Sequence, residues 1–316
     1  MSRIVTITLN PAIDVYTTVE RIAPAVKMRC DAERRDPGGG GVNVARVVRR
    51  LGGDALAIYA AGGSIGAQLG QLILGEGVRA IETLINGETR ESFTIAERAT
   101  GQEFRFLLPG PMFGERDLEH VIEAVEGLAP PYPVYVVCSG SLPRGAPEDS
   151  YARIAKAVTA HGSQMVLDAS GRALRAAINS GAIHLVKPSL SEFQELVGRR
   201  LETTPEIVTA ARACVAEGQA EIVVVTLGSR GAVLVTAQQA LAAEAITTPI
   251  ISSVGAGDSF LGAMIWALEG GHKLVDAFRY GVAAGAASLA APGTELCAAS
   301  KVQALLPLAC PITIDT

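Results

Sequence analysis

The stretch Ile251-Ser-Ser-Val-Gly-Ala-Gly-Asp-Ser-Phe-Leu-Gly-Ala263 decides how this chain is read, because a turn of small polar residues runs straight into an apolar helical pattern. From Phe260 the positions Leu261, Met264, Ile265 and Leu268 recur at helical spacing, and Gly270-Gly271 stops them. Gly255, Ala256 and Gly257 then fall at the helix N-terminus. Unpaired N–H groups and the positive end of the helix dipole attract anions there, and glycines let an anion approach the backbone. Asp258 stands in the first turn. Taken alone it reads either as a carboxylate set inside an anion site or as an ordinary cap or dipole-complementing residue.

The surrounding chain has 316 residues, 49% of them hydrophobic, which is enough core for one large α/β domain or two smaller ones. A net charge of −5 without a basic run argues against a nucleic-acid surface. No apolar run reaches the length of a membrane span, and the N-terminus opens on a strand-like run, so a cytoplasmic location is expected. The five cysteines (Cys30, Cys138, Cys214, Cys297, Cys310) are scattered and read as reduced thiols, and the four histidines show no metal-ligand spacing.

Val254-Gly-Ala-Gly-Asp-Ser259 resembles the C-terminal signature of the ribokinase-like sugar kinases. The resemblance implies that Asp258 is the catalytic base and that the turn Gly255, Ala256, Gly257 stabilises the transferring phosphoryl group. Neither a Gly-x-x-x-x-Gly-Lys-Ser/Thr phosphate loop nor a Gly-x-Gly-x-x-Gly fingerprint after a strand is present. From Pro133 onward strand-like and helical runs alternate, which predicts βαβ units on a parallel sheet. The expected architecture is therefore a single ribokinase-like α/β domain over 1–316, three layers around a mostly parallel sheet, with a small β-sheet lid.

Arg3 to Leu9 reads as a strand that Asn10-Pro11 stops, leaving Asp14 in a loop at the strand end. Thr8-Leu-Asn-Pro-Ala-Ile-Asp14 resembles the opening of the phosphofructokinase branch, which implies that Asp14 accepts hydrogen bonds from sugar hydroxyls. The segments 12–33 and 89–108 have β character and several arginines, and by resemblance they form the lid, pairing with a second lid in a homodimer. Pro37-Gly-Gly-Gly-Gly-Val-Asn-Val-Ala-Arg46 is a second signature, whose glycines are read as a hinge or as backbone closely approached by ligand. By resemblance Gly39, Gly40 and Asn43 are its candidate sugar contacts, with Ser139 from the loop Ser139–Gly145. Arg90 and Arg105 are candidates for the sugar phosphate, since a guanidinium fork matches phosphate oxygens, and Lys27 and Arg29 for reaching a partner subunit's site.

The third signature is Lys187-Pro-Ser-Leu-Ser-Glu192, where Ser189 replaces the family's asparagine. By resemblance Lys187 and Ser189 face nucleotide phosphate and Glu192 helps hold hydrated magnesium; the serine hydroxyl is shorter than the amide it replaces, so a water is expected to fill the gap. Asp168, at another strand end, is a second candidate for magnesium through water. Thr226, Gly228 and Gly231 resemble the ATP loop, and the Ala- and Gly-rich helix 274–289 suits an adenine wall. Ala291 and Gly293, with Ser252 and Val254, resemble a potassium loop, although Glu295 stands where arginine is usual. The residues after Cys297 carry no readable signal.

The resemblance implies an ATP- and magnesium-dependent sugar-phosphate kinase. The run of four glycines, where 1-phosphofructokinases and tagatose-6-phosphate kinases usually carry Gly-Lys-Gly, is shared with the minor bacterial 6-phosphofructokinases and makes fructose 6-phosphate the expected substrate. Tagatose 6-phosphate and fructose 1-phosphate stay open as alternatives, as does a catalytically weak sugar-phosphate sensor.

Overall fold

The computed structural model describes residues 3–314. Its strands are β1 (Ile4–Thr8), β2 (Ala12–Val19), β3 (Arg34–Gly38), β4 (Ala55–Ala61), β5 (Arg79–Leu84), β6 (Arg90–Glu97), β7 (Glu103–Leu107), β8 (Tyr135–Ser139), β9 (Gln164–Asp168), β10 (Leu185–Val186), β11 (Ile222–Thr226), β12 (Ala232–Val235), β13 (Ala240–Ala243) and β14 (Ile312–Thr313). Its α-helices are α1 (Gly40–Arg50), α2 (Gly63–Gly75), α3 (Glu115–Glu126), α4 (Ser150–Ala160), α5 (Gly171–Ile178), α6 (Leu190–Val197), α7 (Thr204–Ala216), α8 (Ala256–Glu269), α9 (Leu274–Leu289) and α10 (Ala299–Leu305).

Ten strands form the main sheet in the order β14-β13-β12-β11-β10-β9-β8-β1-β4-β5, parallel from β11 to β5 and antiparallel from β11 to β14. Both faces are covered, so its strands are apolar runs whose residues alternate between two cores. In β8, Tyr135 and Val137 face one core while Val136 and Cys138 face the other. α1, α2, α8, α9 and α10 build the first core, and α3 to α7 the second, giving the expected three layers. The chain runs outward from β1 to β4 and β5 on one side and from β8 to β11 on the other. The switch point therefore lies between β1 and β8, where an open α/β sheet presents a crevice at the carboxyl ends of its strands.

A separate four-stranded sheet, β3-β2-β6-β7, forms the lid. Here the structure corrects the sequence reading twice. Asp14 is not in a loop: after Asn10-Pro11 the chain resumes at once as β2, with Asp14 paired to Asp36 of β3 and Ser92 of β6. Proline ends the ladder of one sheet, but an extended residue after it is free to enter another. The first lid segment also extends to Gly38, because β3 completes the sheet, while residues 20–33 are irregular.

The glycine run makes room for the fold itself. A side chain on Gly40 would collide with Ser139 Oγ, one on Gly41 with the carbonyl oxygen of Ile7, and one on Gly38 with the Asp14 carboxylate. The glycines thus let α1 start directly on the ends of β1 and β8. Gly39 adopts φ 106° at the helix N-terminus, a conformation that favours glycine. Beyond Cys297, where the sequence carries no readable signal, α10 packs on α9 and β14 pairs with β13. Among the described residues no helix is long and apolar enough to cross a membrane.

Candidate active site

The carboxyl ends of the parallel strands deliver polar residues to one edge: Ser139 from β8, Asp168 from β9, Lys187 just past β10 and Thr226 from β11. Two helix starts meet them there. Asn43 lies in the first turn of α1 and Asp258 in the first turn of α8, and Asn43 Nδ2 donates to Asp258 Oδ2 at 2.8 Å. α8 begins at Gly255 with φ 73°, and its Gly262 lies so close to Val47 of α1 that a side chain there would reach 2.8 Å. Both helix N-termini therefore converge on the crevice.

Lys187 is buried and pairs with Asp168 Oδ2 at 3.0 Å, and Ser139 Oγ donates to the same oxygen at 3.5 Å. A side chain on Gly257 would stand 3.4 Å from Lys187 Nζ, so the ammonium faces the α8 turn. Burial, the Asp168 carboxylate and Asp14 outweigh Asn43 and Lys187 and raise the Asp258 pKa to about 6. Burial likewise raises that of Asp14 to about 6, against the opposing pull of Arg46, Arg105 and Arg90. Burial pushes Asp168 upward too, with Lys187 opposing it.

On the lid side Arg90 Nη2 donates to the carbonyl of Asn10 at 3.0 Å and its Nε to that of Pro11 at 3.4 Å, while Arg105 is exposed on β7. Both arginines act on Asp14. Lys27 and Arg29 are exposed on the irregular segment 20–33. A cavity of about 540 Å³ opens beside the α8 turn, lined by Thr226, Gly228, Gly231, Gly257 and Phe260, with Val282, Gly285 and Ala286 of α9 as an apolar wall. Gly231, at φ 96°, admits no side chain, since a Cβ would run into the carbonyl oxygen of Ala243.

Ser189 differs from its expected setting. It is the N-cap of α6, its Oγ donating to Glu192 Oε2 at 2.7 Å while its N–H donates to the same oxygen at 2.7 Å. The hydroxyl is committed to Glu192 in a capping box. Among the described residues no three His, Cys, Asp or Glu side chains gather as a metal cluster. Asp168 and Glu192 lie near enough to interact, which suits a magnesium ion held through one or two carboxylates, waters and substrate phosphates.

Several contacts of this region escape a reading of the sequence. Arg46 is wholly buried and donates to Asn43 Oδ1 at 3.1 Å; the signal is a charge on the buried, valine-rich face of α1. Ser252 Oγ donates to Glu103 Oε2 of β7 at 2.9 Å, and Thr294 Oγ1 to Asp36 Oδ2 of β3 at 2.6 Å, tying the lid to the segment before Val254 and to the residue just past Gly293. Glu295 pairs with Arg34 at 3.5 Å, and Arg34 Nη2 donates to the Pro292 carbonyl at 3.0 Å.

Residues 1–301 match the family model of pfkB family carbohydrate kinases. The chain is 43% identical to an ATP-dependent 6-phosphofructokinase isozyme 2 of Mycobacterium tuberculosis, covering 97% of this chain and 90% of that one. It is 38% identical to the isozyme 2 of Escherichia coli, over 96% and 97%. A 1-phosphofructokinase of Bacillus subtilis is 31% identical, over 96% and 97%. The crystal structure of phosphofructokinase-2 from Escherichia coli in complex with substrates and products superposes with a TM-score of 0.91, at 36% identity, covering 97% of this chain and 99% of that one. Structures of the same Escherichia coli protein in complex with potassium and in a tetrameric inhibited form give TM-scores of 0.92 and 0.89, at 37% and 35% identity and the same coverage of 98% and 99%. The chain belongs to the pfkB family of carbohydrate kinases, and its fold is the ribokinase-like one.

Proposed function

We propose that this kinase transfers the γ-phosphoryl group of ATP to the 1-hydroxyl of fructose 6-phosphate, giving fructose 1,6-bisphosphate and ADP. One observation carries the reading: the Asp258 carboxylate stands in the first turn of α8, bonded to Asn43, within electrostatic reach of Asp14 on the lid and of Lys187, and next in the chain to Gly257, which lines the cavity. The relatives at 38–43% identity support the substrate, those named for 1-phosphofructokinase being more distant at 28–32%.

The sugar hydroxyl loses its proton to Asp258 as its oxygen bonds the γ-phosphorus, and the bond to the ADP oxygen breaks in line. Positioning and charge stabilisation carry such a transfer, so the amides of Gly255, Ala256 and Gly257 and the ammonium of Lys187 meet the developing charge. Asp14, Asn43, Gly39, Gly40 and Ser139 hold the sugar hydroxyls. Arg90, with two donors already on backbone carbonyls, and Arg105 hold the 6-phosphate. The cavity at Thr226, Gly228 and Gly231 takes the nucleoside. Asp168 and Glu192 hold magnesium through water, which neutralises phosphate charge when bound. Carbonyls of Ser252, Val254, Ala291 and Gly293 take potassium.

The lid leaves Val26, Met28, Phe106 and Leu107 exposed, which supports a homodimer made by two lids, bringing Lys27 and Arg29 toward the partner's site.

The test is ADP release with ATP and magnesium, with and without potassium, across fructose 6-phosphate, fructose 1-phosphate, tagatose 6-phosphate and fructose. The highest kcat/KM is expected for fructose 6-phosphate; preference for another phosphate moves the substrate and keeps the mechanism, and no turnover overturns both.

Two carboxylates with pKa near 6 have a consequence for pH. Both act ionised, so kcat/KM falls as pH drops through about 6. The sugar phosphate titrates in the same range, which makes Asp14→Asn the discriminating comparison. Its acid limb should be one proton less steep than that of the wild type, and identical slopes would refute a role for the Asp14 charge.

Ser189→Asn should bind magnesium·ATP more tightly than the wild type, because the longer amide still caps α6 and extends toward the phosphates. Equal dissociation constants by calorimetry would refute this.

A further inference from the structure

Arg46 follows Asn43 by one helical turn and is 0% exposed. Its Nη1 donates to the Pro37 carbonyl at 2.8 Å and to Asn43 Oδ1 at 3.1 Å, and its Nη2 donates to Glu76 Oε1 at 2.9 Å and stands 3.8 Å from Asp36 Oδ1. Glu76 is held from its other side by Arg50 Nη2, at 3.3 Å to each oxygen. A guanidinium is costly to bury unless its donors are matched, and here the α2 cap residue Glu76, the end of lid strand β3 and the Asn43 amide match its two Nη groups, while its Nε has no partner.

The chemistry of an amide makes the Asn43 contact directional. Asparagine can present either its oxygen or its NH₂ group to a neighbour, and the oxygen facing a carboxylate is repelled. Arg46 only donates, so with Arg46 behind it the Asn43 oxygen turns inward and the NH₂ group turns to Asp258 Oδ2. We infer that Arg46 is a positioning residue that locks the Asn43 amide in the orientation needed to hold the Asp258 carboxylate, and that its bond to Pro37 ties this setting to the end of lid strand β3. The inference rests on the reading of Asp258 as the base of the kinase.

A double-mutant cycle in kcat with fructose 6-phosphate tests it. Asn43→Ala should lower kcat by about 10- to 100-fold, the loss of one hydrogen bond to a charged group. Arg46→Lys, which keeps the charge and loses the fork, should lower it by about tenfold in the wild type but by less than about twofold in the Asn43→Ala background. Losses that multiply would overturn the inference, because a residue supporting only the fold acts independently of Asn43. If Arg46→Lys does not fold, Glu76→Gln, which loosens the same guanidinium from outside, carries the same cycle. A second readout needs no turnover: the Asn43 side-chain ¹⁵NH₂ signals, identified by their loss in Asn43→Ala, should shift and lose exchange protection in Arg46→Lys or Glu76→Gln. Unchanged signals would overturn the inference even if no sugar phosphate is turned over, an outcome that by itself counts against the kinase reading.

Discussion

Asp258→Ala should lower kcat by about 10² to 10⁴-fold, the usual contribution of a positioned general base, while the dissociation constants for sugar phosphate and nucleotide stay within a few-fold. On the proposed mechanism the loss is not total, because the α8 turn and Lys187, which faces Gly257, would still meet the phosphoryl charge. A pKa near 6 suits a general base, since the carboxylate is mostly ionised at neutral pH yet basic enough to take a hydroxyl proton as the bond to phosphorus forms. The same shift has a sign in stability. A carboxyl whose folded pKa is raised binds its proton more tightly in the native state, so its contribution is fully present below the unfolded value near 3.8 and is lost as pH rises through about 6. Asp258→Ala should therefore melt no lower than the wild type at pH 8, and its melting temperature should decline less between pH 5 and 8. A kcat within a few-fold of wild type would remove Asp258 from the mechanism, and a much lower melting point at pH 8 would show that the carboxylate was holding the fold.

Lys187→Met should damage both stability and rate. Its side chain is 5% exposed and its ammonium is 3.0 Å from Asp168, itself 16% exposed. Removing one partner of a buried pair costs about 3–5 kcal/mol, since the other charge is left uncompensated; for a chain of this size that lowers the melting temperature on the order of 10 °C. Without Lys187 the Asp168 pKa, already raised by burial, rises further. Native Asp168 then takes up a proton on folding, so the penalty should be small in acid and grow as pH rises toward neutrality. In the reaction the variant loses a cation facing Gly257, and kcat should fall by about 10²-fold or more, as for a deleted oxyanion donor. Equal destabilisation at pH 5 and pH 8 would show that packing, and not the charge pair, is what Lys187 supplies.

Much of the site is legible in the sequence because its parts are local. Gly255 to Asp258 lie at a helix start that the apolar spacing of Leu261, Met264, Ile265 and Leu268 announces, and α8 forms there. α9 spans the helical stretch read at 274–289, and Asp168 stands at a strand end as expected. The departures have a common origin. Asn10-Pro11 marks the end of a strand, which puts Asp14 in a loop, but it does not say whether another sheet is waiting, and β3 and β6 are waiting. The glycines at 38–41 suggest flexibility on their own, whereas in the fold their missing side chains make room for Asp14, Ser139 and the Ile7 carbonyl.

Neighbours along the chain suffice to fix the helix start carrying Asp258, the βαβ alternation, the small-residue turn that suits an anion, and through three signatures the family. The tertiary structure alone decided which distant residues share a charge or a hydrogen bond. Asn43 and Asp258 are 215 positions apart yet bonded, and Thr294 reaches Asp36 across 258. The buried setting that raises Asp258 to about 6 exists only where two helix starts and the strand ends enclose it, because desolvation is a property of the assembled surroundings and not of any segment.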